Sequence, residues 1–422
     1  MNPSRHLLAS RAVCAALFLP VVFAFGLNYG LVLAGLRENQ IPKPPKGTAP
    51  IDWRTDGIRT WGWHLKTDVE EFAKQNALFR IPFSELNMGF RKLAGMRLFP
   101  DADRTLRLNN GYLVIPRQRF DTENCARQIV ELRDYCSTLG ASFLYVVAPH
   151  KSDRFDDQLP LGMEDHGNEN ADQFVASMAA HGVPTLDLRD LIHEHFADFY
   201  GLFFRTDHHW KPETGLWAAA QIAEALNRLF NFGLSLDLFD SANYEAETHK
   251  GLFLGSLGKK VTRAYVAPDD FTLITPKFDT ALRLAIPANR LDLTGTFREA
   301  LIKADYLSGP PDFYRRNTYE TYLRGDNDRL AISNLLRPDG KRVLMLKDSS
   351  ANVVIPFLAL ALKSIDVLDL RYFSGSVYAY IERQRPDAVI VLYSADSFRK
   401  EAFTVWSRHP LPVRKQDASH PL

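Results

Sequence analysis

The longest run without a charge lies near the amino end. From Ala12 to Leu36 the chain is apolar and uncharged, longer than the roughly 20 residues a helix needs to span a bilayer. Arg5 and Arg11 precede it, which predicts a cytoplasmic tail over 1–11, a transmembrane anchor over 12–36 and all later residues on the far side. Pro20 would kink this helix, which membrane segments tolerate. The competing reading is a signal peptide cleaved near Val32-Leu33-Ala34, although the apolar run exceeds the usual signal core. Residues 37–52 contain Ile41-Pro42-Lys43-Pro44-Pro45-Lys46-Gly47, a stiff linker suited to lifting a domain off a membrane.

The rest, 53–422, reads as one α/β domain. Phe72, Phe79, Phe83, Leu86 and Phe90 have helical spacing and are expected to face a core. From Asp121 to Leu139 runs an amphipathic helix. The strand Phe143 to Ala148, a helix from Asn170 to His181, a strand Thr185 to Leu188 and a helix opened by Pro212 then follow. The alternation resumes in the apolar runs Arg342 to Leu346, Ile365 to Leu370 and Ala388 to Tyr393, which predicts one interrupted parallel sheet flanked by helices. Between about 244 and 338 the periodicity is lost, and this segment is expected to be an insertion or cap.

Lysines and arginines number 51 against 50 aspartates and glutamates, so no basic field exists to hold nucleic acid. Cys125 and Cys136 lie too far apart along one helix for a disulfide and are expected to be free buried thiols.

Two short stretches could carry chemistry. Arg205-Thr206-Asp207-His208-His209-Trp210 precedes the Pro212 helix, and an extended chain there would put Asp207 and His209 on one face, a carboxylate beside an imidazole. Lys347-Asp348-Ser349-Ser350 ends an apolar strand and begins a helical run from Ala351 to Leu362, a position where free backbone N–H groups can stabilise an oxyanion. The plainer alternative makes Asp348 and Ser349 helix caps. A metal site drawing on His193-Glu194-His195 and the nearby Asp207-His208-His209 is a rival, but 188–196 reads as helical and residues two apart on a helix point in roughly opposite directions; neither metal nor cofactor is expected.

Asp207-His208-His209-Trp210, followed downstream by Lys347-Asp348-Ser349-Ser350-Ala351-Asn352 and Pro356-Phe357, resembles the DHHW protein family. That family is similar to the alginate-acetylating SGNH proteins, a permuted branch of the SGNH hydrolases. Tyr145 to Pro149 with Leu159-Pro160, Gly255 to Lys259 and Asp369 to Phe373 match as well. The resemblance implies an SGNH-hydrolase-like sheet with Ser349 as nucleophile, His209 as general base and Asp207 as its orienter. Lys347 stands where the SGNH pattern usually has glycine. The Ser349 N–H is the first oxyanion donor expected; Asn334 and the Gly325-Asp326 pair are candidates for other SGNH positions. Ser350 joins the oxyanion and substrate candidates, and Arg205, His208 and Trp210 are packing residues or substrate contacts.

The implied activity is serine-dependent acetyl transfer to an exported polysaccharide, in a single-pass protein of the inner membrane whose catalytic domain is extracytoplasmic. Its implied partner is a membrane-bound O-acyltransferase that delivers the acetyl group. An acetylesterase would use the same residues with water as acceptor, and a non-catalytic glycan-binding scaffold is the rival from another class.

Overall fold

The computed structural model describes residues 80–398. The anchor, the linker and the stretch from Trp53 to Phe79 lie outside the described residues, among which no helix is long and apolar enough to cross a membrane. The chain divides into two units, one ending at Arg91 and one beginning at Lys92. A helix over Arg80–Leu93 carries Phe83, Leu86 and Phe90. These side chains are 48%, 58% and 63% exposed rather than core-facing. Helical spacing defines an apolar stripe but not the surface that the stripe meets.

The larger unit opens with a small antiparallel sheet of β1 (Leu98–Phe99), β2 (Thr105–Arg107) and β3 (Leu113–Val114) and is built on an eight-stranded sheet. Its members are β4 (Ser142–Ala148), β5 (Thr185–Asp187), β8 (Leu282–Ile286), β9 (Leu291–Gly295), β10 (Arg329–Asn334), β11 (Arg342–Lys347), β12 (Ser364–Leu368) and β13 (Ala388–Ser394). Across the sheet they run β5-β4-β13-β11-β12-β10-β8-β9. The first five are mutually parallel; β10, β8 and β9 continue the sheet antiparallel. The sheet is therefore mixed, and three of its strands, β8, β9 and β10, come from the expected insertion. The remainder includes the antiparallel pair β6 (Tyr244–Phe253) and β7 (Asp269–Pro276) and a helix over Ser256–Tyr265.

Both faces of the parallel strands are covered. Leu144, Val146, Met345 and Ile390 pack with Leu216, Ile222 and Ala223 of the Pro212–Phe230 helix in one cluster. The alternate residues Phe143, Tyr145, Leu344 and Val391 pack on the other face with Ile129, Phe174 and Ile381 from helices Glu123–Thr138, Gly167–Ala180 and Val377–Gln384. This is the period-two alternation of a strand buried on both sides. Cys125 and Cys136 are free and buried, and burial pushes both thiols up to about 12.

After β11 the chain forms a 3-10 turn over Ser349–Val353 and a short α-helix over Ile355–Leu358, not one run from Ala351 to Leu362. Pro356, lacking an N–H, cannot continue a regular ladder. Gly215 lies against this turn so closely that a Cβ there would come 2.3 Å from the Val353 carbonyl oxygen.

Candidate active site

The parallel strands all end at one edge of the sheet, and the loops leaving β4, β11, β12 and β13 there carry His150 and Lys151, Asp348 and Ser349, Asp369 and Arg371, and Asp396. Such a carboxyl edge is where α/β sheets gather ligands.

The Arg205-to-Trp210 stretch is a bent loop, not an extended one, closed by the bridge between Phe203 and Trp210. A local turn brings Asp207 and His209 together: the His209 backbone N–H donates to Asp207 Oδ1 at 3.1 Å, and the same oxygen meets His209 Nδ1. Polar groups hold the loop from beneath. Buried Lys151 donates from Nζ to the carbonyls of Phe204 (3.0 Å) and Asp207. Asp269 accepts from the Thr206 N–H (2.8 Å) and hydroxyl (2.6 Å). On the other side the Ser256 N–H donates to Asp207 Oδ2. Gly255 permits that approach, since a Cβ there would lie 2.3 Å from Asp207 Cβ.

His209 Nε2 lies 2.8 Å from Ser349 Oγ, joining residues 140 positions apart in sequence. Asp207, His209 and Ser349 thus form one hydrogen-bonded line, geometry suited to moving a proton from the serine hydroxyl. Ser349 is the first residue of its 3-10 turn, where a backbone N–H has no intrahelical acceptor. Asp348 anchors the turn through four bonds. Its carboxylate accepts from the N–H groups of Ser350 (2.8 Å) and Ser394 (2.7 Å) and the hydroxyls of Ser394 (3.0 Å) and Ser397 (2.8 Å).

The other sequence candidates fall in different places. Trp210 Nε1 donates to the Ser350 carbonyl at 2.8 Å, so this pair ties the histidine loop to the serine turn. His208 lines the cleft, its Nδ1 3.1 Å from Ser256 Oγ. Arg205 reaches the Ala267 carbonyl. Asp326 accepts from Lys347 Nζ (2.7 Å), Asn352 (2.9 Å) and Arg371 (2.9 Å), beneath the serine turn. The lysine that replaces the usual glycine is therefore buried in an ion-pair cluster. Asn334 belongs elsewhere: it closes β10 at the opposite sheet edge and donates to the carbonyls of Ala359 and Leu360. Because β10 runs antiparallel, its last residue lies far from the carboxyl ends of its neighbours.

Of the residues in the metal reading, His193 approaches Asp153 (3.0 Å) and His195 turns to the Leu191 carbonyl. Among the described residues the group close enough to share an ion is Asp207, His208 and His209, with ligand atoms within 4.8 Å. Their facing atoms already bond to one another, to Ser256 and to Ser349.

Burial alone would raise the Asp207 carboxyl, but His209 and His208 outweigh it and hold the group well below the usual carboxylate range. Enclosure, and next the neighbouring His209, push His208 down to about 4, so it is neutral at pH 7. Burial lowers Lys151 to about 8.

His150 behaves oppositely. It is buried between Asp165 (2.7 Å from Nε2) and Asp396, which also pairs with Arg117. Burial opposes its charge, yet the two carboxylates lift it to about 10. The folded-state value exceeds the unfolded one of about 6.5, so the stabilisation is whole below about pH 6.5 and is lost as pH rises through about 10. Wild-type stability, followed by urea denaturation, is expected to fall over that window by on the order of a few kcal/mol, and His150→Gln is expected to flatten the decline.

A cleft of about 740 Å³ opens over this edge, lined by Ser349, His208, Ser256, Arg371, Asp396 and Arg117 among others. Sequence reasoning missed Lys151, His150 and Asp396; the signal available was a charged or polar residue directly after an apolar parallel strand. It also missed Tyr319, whose ring stacks on His209 with centroids 3.9 Å apart.

A mixed α/β sheet with Asp-x-His and serine loops meeting at its carboxyl edge defines an SGNH-hydrolase-like domain, as the resemblance implied. Residues 106–286 match the family model described as SGNH hydrolase-like domain, acetyltransferase AlgX. Among solved structures, Bacillus cereus PatB1 with sulfonyl adduct is similar at TM-score 0.61 and 19% identity, over 72% of this chain and 98% of that one. A DHHW family protein from Eubacterium siraeum DSM 15702 is similar at TM-score 0.54 and 18% identity, over 72% of this chain and 95% of that one. No curated protein matches the chain significantly in sequence. The matched segment is under half of the chain, and the likeness to the solved structures is one of fold: the domain is similar to the SGNH hydrolase-like AlgX model over that segment and to PatB1 and a DHHW family protein in its architecture.

Proposed function

We propose that the chain is an extracytoplasmic O-acetyltransferase that moves an acetyl group through Ser349 to an exported polysaccharide. The observation that carries this reading is Ser349 Oγ, 2.8 Å from His209 Nε2, at a cleft spacious enough for sugar rings. Ser349 Oγ attacks the acetyl carbonyl carbon while its proton passes to His209 Nε2; Asp207 balances the imidazolium, and the Ser349 N–H is the first donor to the oxyanion. The tetrahedral adduct collapses, the leaving group takes the proton from His209, and acetyl-serine remains. A polysaccharide hydroxyl then attacks, giving its proton to His209, which returns it to Ser349 as the ester leaves.

The acetyltransferase description of the matching family model supports this class of reaction. The uncharged stretch 12–36 with Arg5 and Arg11 before it supports a membrane anchor with the domain outside the cytoplasm. A membrane-bound O-acyltransferase would then supply the acetyl group. Full-length chain incubated with a chromogenic acetyl ester is expected to release chromophore and to gain the mass of one acetyl group. Added polysaccharide should speed loss of that mass and emerge acetylated. Loss to free acetate alone would make the chain an esterase, and a folded chain with neither release nor adduct would end the acyl-serine reading.

A further inference from the structure

Two hydrogen bonds hold the His209 imidazole, one at Nδ1 and one at Nε2. The ring turns about its Cβ–Cγ bond, and these two bonds, each tolerant in angle, restrain that torsion softly. Packing against the face of the ring narrows it further, and one face is covered by Tyr319. Its ring lies nearly parallel to the imidazole, 9° from coplanar with centroids 3.9 Å apart. Tyr319 is 2% exposed and meets Phe204 edge-on at 90°, which restricts its own rotation. Its hydroxyl donates to the Ser349 carbonyl at 3.2 Å and approaches the Ser350 carbonyl at 3.5 Å. One side chain therefore touches both the base and the backbone that carries the nucleophile. It comes from a 3-10 turn, Thr318–Thr321, between the β9 strand and β10.

We propose that Tyr319 is a positioning residue for acyl transfer: its ring fixes the plane of the His209 imidazole, and its hydroxyl holds the Ser349 turn in register with that plane. This rests on the acyl-serine reading above. Burial keeps the phenol protonated, well above its usual range, so it remains a donor. The stack is the larger contribution, because tilting the imidazole misdirects Nε2 from the serine proton, whereas the Ser350 carbonyl retains its bond from Trp210 if the hydroxyl is lost.

The test uses phenylmethanesulfonyl fluoride on the full-length chain, following intact mass. Ser349 Oγ attacks sulfur, an O–S bond forms as the S–F bond breaks, fluoride leaves and the hydroxyl proton goes to His209 Nε2. Tyr319→Met fills the space without a flat face. Its saturating labelling rate is expected to fall about 10- to 100-fold with the half-saturating concentration unchanged. Tyr319→Phe keeps the face and is expected to stay within roughly three-fold of wild type. A wild-type rate in Tyr319→Met, or a loss confined to half-saturation, overturns the proposal while leaving the acyl-serine reading intact. If Tyr319→Met does not fold, Tyr319→Leu decides in the same assay: a comparable fall in the saturating rate supports the stack, and a wild-type rate overturns it. A wild-type chain that takes no label, or label that persists in Ser349→Ala, overturns both readings.

Discussion

Ser349→Ala is expected to lower ester cleavage by on the order of 10⁶-fold, and Asp207→Asn by about 10³- to 10⁴-fold, each in a protein that still folds. The first removes the atom that would carry the acyl group. The second is nearly isosteric, and its cost follows from donor and acceptor counting. Asp207 accepts at one oxygen from His209 and at the other from the Ser256 N–H. An asparagine offers one oxygen and one NH₂. If the NH₂ turns to Ser256, two donors face each other in a buried site. If it turns to His209, Nδ1 must present its lone pair, the proton moves to Nε2, and Nε2 then donates toward Ser349 instead of taking its proton. Saturating rates on a chromogenic acetyl ester, with thermal melts as the folding control, check the series. An Asp207→Asn chain as fast as wild type would remove the orienter from the mechanism.

How much of this was legible in the sequence varied with the burial of each element. β4 and β13 are buried along nearly all their length, so they read as continuous apolar runs bounded by turns. β8 and β10 alternate buried with more exposed residues, and stretches such as Leu-Arg-Leu-Ala-Ile and Arg-Leu-Ala-Ile-Ser-Asn merged into the polar background of 244–338. That region therefore looked like an insertion, although it extends the sheet and supplies Ser256, Asp326 and Tyr319 to the site. Asp207 and His209 were expected to meet across an extended strand; they meet through a bend, which backbone periodicity does not encode. Their approach to Ser349 depends on both loops leaving the same side of the sheet fold. Strand order decides that, and residue spacing alone could not. Tyr319 carried no signal of its own, being one of several aromatics, with Phe313, Tyr314 and Tyr322, in an irregular stretch.

Lys347→Met is expected to destabilise the fold by about 3–5 kcal/mol, the usual cost of removing one partner from a buried ion pair. Lys347 is 1% exposed and reaches Asp326 at 2.7 Å and Asp369 at 3.0 Å; Arg371 meets the same two carboxylates at 2.9 Å and 2.6 Å. Two positive and two negative groups make the cluster neutral. Methionine preserves most of the stem's volume, so the loss measures charge rather than a cavity, leaving one carboxylate in excess beneath the Ser349 turn. Because Asp326 is held below the usual carboxylate range, burial being outweighed by Lys347 and Arg371, the wild-type contribution is present above about pH 4 and lost as pH falls further. The variant's deficit should accordingly narrow from pH 7 toward pH 4, as a proton neutralises the excess carboxylate. Adding Asp369→Asn to Lys347→Met restores neutrality and is expected to recover part of the loss, a coupling that a double-mutant cycle by urea denaturation would read directly. If the two losses simply add, the lysine is not balanced by Asp369. Asp326 would then be the carboxylate that balances Lys347.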